Sequence, residues 1–227
     1  MDKNAIKKYA VWARNELIEK VTQKAQQYGI EDGKTMDPNA SSVNGIVLSD
    51  TQKKQRKALI EKVNQDGFTQ VMEEVAYTWF NRFIALRFME VNGYLPSHVR
   101  VFTDEDNNFK PQILSEAIHL DIDGLDMEKV FCMKEANQDE ELFKYLLITQ
   151  CNALNSILPG MFQKIADYTE LLLPDYLLRE GSVIEQMITM IPEEDWTDQV
   201  QIIGWLYQYY NSEPKDQVFA DLKKNKK

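Results

Sequence analysis

The sequence predicts an all-α fold, a multi-helix bundle built around one central apolar helix near residues 68–92. Turn-forming residues are scarce, with nine Gly and seven Pro in 227 residues, and this favours a few long elements over many short strands. Several long segments carry apolar residues at spacings of three and four, which is the helical period. The composition, 44% hydrophobic and 27% charged, is that of a globular chain long enough to bury a core without disulfides.

The first predicted helix covers residues 2–28. Its apolar positions fall at spacings of three and four and form one stripe: Ile6, Tyr9, Ala10, Ala13, Leu17, Val21 and Ala25. Gly29 is a suitable end for this helix. Residues 30–48 are rich in Gly, Pro, Asn, Asp and Ser, so we expect a long loop there. Loops of this length in compact domains are functional or mobile in most cases.

A short basic helix is predicted over about residues 50–65. Ser49 followed by Gln52 has the pattern of a capping box, in which each residue satisfies a backbone amide of the other. Gly67 should break this helix before the next one begins.

The central helix, residues 68–93, has two apolar stripes. One contains Phe68, Met72, Val75, Trp79, Phe83 and Leu86, and the other contains Phe80, Ile84, Phe88 and Val91. A helix that is apolar on two faces must be surrounded by protein. We therefore place it at the centre of the fold, ending at Gly93.

The remainder of the chain is predicted to add further helices, of which the one over 138–158 is long. They cover residues 111–119, 126–135, 138–158, 182–190 and 195–211. Between the central helix and these elements, residues 98–110 alternate weakly and allow at most a minor short hairpin. We expect a single helical domain over residues 1–227.

No catalytic, cofactor-binding or metal-binding residue is predicted. The sequence has no G-x-G, Walker A, nucleophile-elbow or H-E-x-x-H motif. His98 and His119 lack partners at zinc-ligand spacing. Cys132 and Cys151 have no C-x-x-C partner, which is typical of reduced thiols in a cytoplasmic protein. The start of the chain does not resemble a signal peptide, and no apolar stretch approaches the roughly 20 residues that span a bilayer.

The charge is unevenly distributed along the chain. Residues 1–100 hold 15 basic and 12 acidic residues, whereas residues 101–227 hold 11 and 24. Since the acidic part repels phosphates, a nucleic-acid contact must lie in the first part. The candidate DNA-backbone contacts are the basic residues of the second helix: Lys53, Lys54, Arg56, Lys57 and Lys62. A solvated helix face is the alternative interpretation of this cluster.

Two other groups of residues allow a structural and a functional interpretation. Arg87 and Glu90, at i and i+3, could form part of a buried network or place an arginine against a phosphate. Late aromatic residues could pack in the core or form a docking surface. They are Trp196, Trp205, Tyr207, Tyr209 and Tyr210.

Four long runs carry a resemblance to a known family. They are EEVAYTWFNRFIALRFMEVNGYLPSHVRVF (73–102), KYLLITQCNALNSILPGMF (144–162), LLREGSVIEQMITMIPEEDW (177–196) and IIGWLYQYYNSEPKD (202–216). The chain resembles, over nearly all of its length, the N-terminal region of the PglX family. This family comprises adenine-specific DNA methyltransferases of BREX phage-defence systems.

The resemblance implies that the full-length parent is an enzyme, whereas this chain is not. The family methylates adenine N6 with S-adenosylmethionine, in a system similar to restriction-modification. Its glycine-containing cofactor loop and N-P-P-Y/F motif do not occur in this sequence. The catalytic domain should therefore lie beyond residue 227, and no catalytic or cofactor residue carries over. A free-standing small enzyme is disfavoured by the same missing motifs.

The role implied for these helices is to brace the catalytic domain and to help enclose DNA. The partners would be DNA, reached through the full-length enzyme, and the catalytic domain itself. No membrane partner is expected. The alternative is a protein–protein interaction module that docks other components of the defence system.

Overall fold

The computed structural model describes residues 1–34, 37–163 and 167–215, and these confirm the all-α prediction. The α-helices are α1 (Lys3–Gln27), α2 (Asp50–Asp66), α3 (Phe68–Val91), α4 (Gln112–Ser115), α5 (Met127–Glu135), α6 (Asp139–Leu154), α7 (Asp167–Leu171), α8 (Val183–Met190) and α9 (Gln201–Tyr210). Two 3-10 turns, Ala117–His119 and Glu193–Asp195, connect them. The strands β1 (Ser42–Val43) and β2 (Ile46–Val47) form one antiparallel hairpin.

The central position of α3 is confirmed by its burial. Trp79, Phe80 and Phe83 are fully buried, and both predicted apolar stripes contribute to the core. Helix α1 packs against α3, α8 and α9, and α2 packs against α3 and α7. Helices α4 and α5 pack against α6. The long apolar face of α1 therefore joins the middle of the chain to its last described helix.

Helix ends follow local signals in the sequence. Asp2 caps α1 by accepting hydrogen bonds from the amides of Asn4 and Ala5. The predicted capping box of α2 is present, with Gln52 N donating to Ser49 Oγ at 3.2 Å and Ser49 N donating to Gln52 Oε1 at 3.0 Å. Such caps satisfy amides that have no partner within the helix.

The cap of α8 is only one half of a capping box. Ser182 Oγ accepts from Glu185 N at 3.2 Å. The carboxylate of Glu185, however, accepts from Gly181 N at 3.0 Å instead of from the amide of Ser182.

The hairpin lies in the long loop and not near residues 98–110. Asn44 and Gly45 occupy its turn with φ of 49° and 81°, the left-handed backbone that a two-residue hairpin turn requires. The region 98–110 contains turns and no strand. Its backbone is held instead by a side chain, because Glu90 Oε2 accepts from the amides of Val101 and Phe102 at 2.7 and 2.8 Å.

Two late helices are shorter than predicted. Helix α6 ends at Leu154, and Asn155 Nδ2 then donates to Phe162 O at 2.7 Å, closing a turn. Helix α9 begins at Gln201, because Asp198 adopts a positive φ of 54° that interrupts the helical run. Among the described helices, none combines the length and apolarity that a membrane crossing requires.

Candidate functional site

The candidate DNA contact lies on the outer side of α2. Lys54 and Lys57 are exposed, and Lys53 is partly exposed with its Nζ 3.0 Å from Asp50 Oδ1. Spacings of three and four residues place the three lysines on neighbouring positions of one helix. We call Lys53, Lys54 and Lys57 the α2 basic surface.

Arg56 does not belong to this surface, which corrects its assignment as a backbone contact. Its side chain is fully buried. The guanidinium donates from Nε to Tyr28 O at 2.8 Å and from Nη1 to Asp37 O at 2.6 Å. Arg56 therefore fixes the end of α1 and the following loop against α2, and its burial keeps it from a phosphate at the surface.

Lys62 already has acidic partners on the protein. Its Nζ lies 2.6 Å from Asp66 Oδ2 and 4.0 Å from Glu74 Oε2. The hydrogen bond to Asp66 and the charge of Glu74 raise the pKa of Lys62. Because these carboxylates offset its charge, Lys62 is a weaker candidate for phosphate contact than the exposed Lys54 and Lys57. The same holds in part for Lys53, which pairs with Asp50.

The Arg87–Glu90 pair forms a buried network, which confirms the structural interpretation of these residues. Arg87 Nη1 donates to Glu90 Oε1 at 2.6 Å, and Nη2 donates to Asn107 Oδ1 at 2.5 Å. Neither side chain of the pair is exposed. Burial raises the pKa of Glu90. The charge of Arg87 and the hydrogen bonds from the amides of Val101 and Phe102 lower it, but burial has the larger effect. The network ties α3 to the loop that follows it.

The network extends to the surface through a second arginine. Arg100 makes a bidentate contact with Glu193, with Nη1–Oε2 and Nη2–Oε1 distances of 2.9 and 3.0 Å. The hydrogen bond from Arg100 lowers the pKa of Glu193. Elsewhere on α3, Arg82 donates to the carbonyls of Met161 and Gln163. These arginines hold loops and do not converge on an open anion site.

A cleft of about 910 Å³ lies between α1, α2, α5 and α6. At its edge, Asp175 accepts hydrogen bonds from Lys24 at 2.8 and 2.9 Å and from Lys144 at 2.8 Å. Burial opposes the ionisation of Asp175, but the two lysines outweigh it and hold its pKa below the usual value. Its partners are 151 and 31 residues away in the chain, so no local sequence signal could have revealed this cluster.

The described residues do not bring together a catalytic constellation. No group of three His, Cys, Asp or Glu in the described ranges could hold a metal ion. Cys151 is buried, and burial raises the pKa of its thiol to about 12. Cys132 is exposed on α5. His98 and His119 lie on separate loop and turn segments.

The late aromatic residues mostly pack against the core. Trp196 and Tyr210 are buried. The ring centroid of Tyr210 lies 4.3 Å from that of Phe80 and 5.3 Å from that of Tyr77. Trp205 is partly covered by the Lys3 ammonium, 4.0 Å from its ring centroid. These contacts favour the core interpretation over an aromatic docking surface.

Comparison with known proteins gives two strong matches, while no protein-family model matches the chain. The chain is 38% identical over 252 aligned residues to the adenine-specific methyltransferase PglX of Lacticaseibacillus casei (strain Zhang). It is 36% identical over 239 residues to the adenine-specific methyltransferase BrxX of Escherichia coli O9:H4 (strain HS). The matches include 98% and 99% of this chain but only 21% and 20% of the relatives. The resemblance inferred from the sequence is confirmed, and the chain spans about one fifth of the length of the curated relatives it matches.

Proposed function

We propose that this chain is a non-catalytic helical segment of an adenine-specific methyltransferase. Nearly its whole length is homologous to about one fifth of the length of each of two such enzymes. The observation that carries the proposal is the coverage: nearly every residue of the chain aligns, while four fifths of each relative lies outside it. The N-P-P-Y/F motif and a glycine-rich cofactor loop are missing from this sequence. We place the binding of S-adenosylmethionine and the transfer of its methyl group to adenine N6 in the remainder of the parent enzyme. We assign that enzyme to a phage-defence system.

The role we propose for the helices is to brace the catalytic domain and to contact DNA through the α2 basic surface. An enzyme that flips a base out of a duplex needs that duplex held in register. Helix α2 suits this task because the capping box stabilises its first turn and the buried Arg56 fixes it to the end of α1 and to the following loop. Its exposed lysines therefore project from a well-anchored helix. The excess of acidic residues after position 100 disfavours DNA on that part of the surface.

The test is DNA binding by the full-length enzyme carrying Lys54→Glu and Lys57→Glu. We expect weaker binding in an electrophoretic shift assay and a salt slope reduced by about one to two units, since each lost phosphate contact removes about one released counterion. Arg56 is left unchanged because it is a buried structural residue.

The matched control is Lys7→Glu with Lys8→Glu, two exposed lysines of α1 that make the same change in net charge. If the α2 variant bound DNA with the affinity and salt slope of the wild-type enzyme, the proposed contact would be wrong. If both pairs weakened binding equally, the effect would belong to the net charge and not to α2.

A further inference from the structure

The acidic part of the chain is concentrated in one stretch that surrounds α5. Residues 104–141 hold 12 acidic and three basic residues, a net charge of −9, whereas the whole chain has −10. Helix α5 packs against α6 and the Ala117–His119 turn, and the residues on its opposite side are exposed. The proposed DNA contact does not use this exposed side of α5.

The exposed side of α5 has an apolar centre between two carboxylates. Four exposed residues occupy positions i, i+3, i+4 and i+7 of the helix and therefore share one face: Glu128, Phe131, Cys132 and Glu135. Phe131 is 48% exposed, although a residue of its size is ordinarily buried. Ile118, on the adjoining 3-10 turn, is 38% exposed. We call Glu128, Phe131, Cys132 and Glu135 the α5 acidic face.

The lysines of α5 do not neutralise this face. Lys134 Nζ donates to Leu114 O at 3.0 Å, and Lys129 Nζ lies 4.1 Å from the centroid of the Tyr145 ring. Within the described part of the chain, neither Glu128 nor Glu135 takes part in an ion pair. The two carboxylates therefore flank Phe131 with their charges uncompensated by the helix itself.

We propose that the α5 acidic face docks a basic amphipathic segment of a partner protein. An exposed aromatic residue within a polar rim is the usual anatomy of a protein interface, with the ring as the anchor. The uncompensated carboxylates select a partner with Lys or Arg around an apolar anchor. A phosphate backbone and an anionic lipid surface are both repelled by a net charge of −9 in this stretch. The partner is therefore a protein, and its contact is separate from the α2 basic surface.

The experiment uses a defined probe, a synthetic amphipathic helical peptide of about 14 residues that contains only Lys and Leu. The readout is the alkylation of Cys132 by a maleimide, followed by mass spectrometry. Cys132 lies within the proposed contact, whereas Cys151 is buried and therefore shielded from the reagent. For the wild type and for each variant, the rate of Cys132 alkylation with peptide is compared with the rate without peptide. This comparison is needed because charge changes alter the intrinsic reactivity of the thiol.

We expect the peptide to slow alkylation of Cys132 by about tenfold or more, with saturation and with weakening at high salt. Phe131→Ala and the pair Glu128→Lys with Glu135→Lys should each abolish the protection. The pair Glu180→Lys with Glu194→Lys reverses two exposed carboxylates elsewhere and should preserve it.

Three outcomes would overturn the proposal. Loss of protection in the Glu180/Glu194 pair as well would mean that the peptide follows net charge alone. Full protection of Cys132 in the Phe131→Ala variant would mean that Phe131 is not the anchor of the contact. Protection of Cys132 by duplex DNA in place of the peptide would assign the surface to nucleic acid. None of these results bears on the α2 basic surface, so the two proposals fail independently.

Discussion

Arg56 and Lys57 are neighbours in the sequence and carry the same formal charge, but they occupy opposite environments. Arg56 is fully buried and donates to two backbone carbonyls, whereas Lys57 is exposed. The guanidinium suits the buried position because its planar donors can serve two acceptors at once. The composition of a basic cluster therefore identifies the surface approximately, and the three-dimensional contacts decide which of its members can reach a ligand.

Replacing Arg56 by Ala should destabilise the fold by about 3 kcal/mol, because Tyr28 O and Asp37 O lose a buried donor and the vacated volume is left unfilled. Urea unfolding followed by circular dichroism measures the change. Lys57→Ala is the control and should alter the midpoint little, because its side chain is exposed. Equal stability of the two variants would contradict the structural role of Arg56.

Local signals predicted the ends of α1, α2 and α3 to within two residues, but they misplaced the end of α6 and the start of α9 and could not predict the longer contacts. The capping box at Ser49 and Gln52 depends only on residues three apart, so the sequence contains the whole interaction. The burial of Arg56 depends on acceptors 28 and 19 residues away. The hairpin was missed although Asn44-Gly45 is a strong turn signal. Its strands are only two residues long, so they show no alternation.

At the scale of elements, the fold is held by apolar packing inside and by ion clusters at helix junctions. Asp175, in the segment between α7 and α8, joins Lys24 of α1 to Lys144 of α6. The side chains of both lysines are 13% exposed, so solvent screens these contacts less than it screens a surface pair. The contact resists separation of the two helices at the edge of the cleft.

Asp175→Asn should reduce the free energy of unfolding at pH 7 by about 1 to 2 kcal/mol, because both lysines lose their counter-charge. The pKa of Asp175 is lowered in the fold, so its contribution is complete above the unfolded pKa of about 3.9 and disappears as pH falls through the folded value. The difference in stability between wild type and variant should therefore be constant from about pH 5 to 8 and shrink below about pH 4.

Urea titrations at a series of pH values measure this difference. Asp121→Asn, which removes an exposed carboxylate, is the matched control and should show a small effect. A difference for Asp175→Asn that grew on acidification would have the wrong sign and would contradict the assignment.

At the scale of the whole molecule, the all-α prediction succeeded because the apolar stripes of α1 and α3 are long and regular. Seven apolar residues of α1 are buried in the positions that the helical period indicated. The DNA contact stays a prediction, and within the basic cluster Arg56 is buried and Lys62 has carboxylate partners. The α5 acidic face was not predicted, because exposure of a single Phe is not encoded in a local pattern.

The 227-residue chain alone should show no saturable binding of S-adenosylmethionine in calorimetry and no methyl transfer. Cofactor loops of this kind place glycines after a strand so that the backbone can approach the ligand, and the sequence has no G-x-G. The full-length enzyme is the positive control. Saturable micromolar binding by the chain alone would contradict a non-catalytic role.

The packing of α1 has a consequence for the order in which the protein can fold during its synthesis. Tyr9 Oη donates to Val183 O at 3.0 Å, and the apolar face of α1 rests on α3, α8 and α9. A ribosome adds about 5 to 20 residues per second, so the first helix waits roughly 10 to 40 s for the last one to be made. During that interval the emerging apolar face of α1 is covered only in part, by α3. Until α9 has left the ribosome, the nascent chain therefore exposes apolar surface that the folded molecule buries.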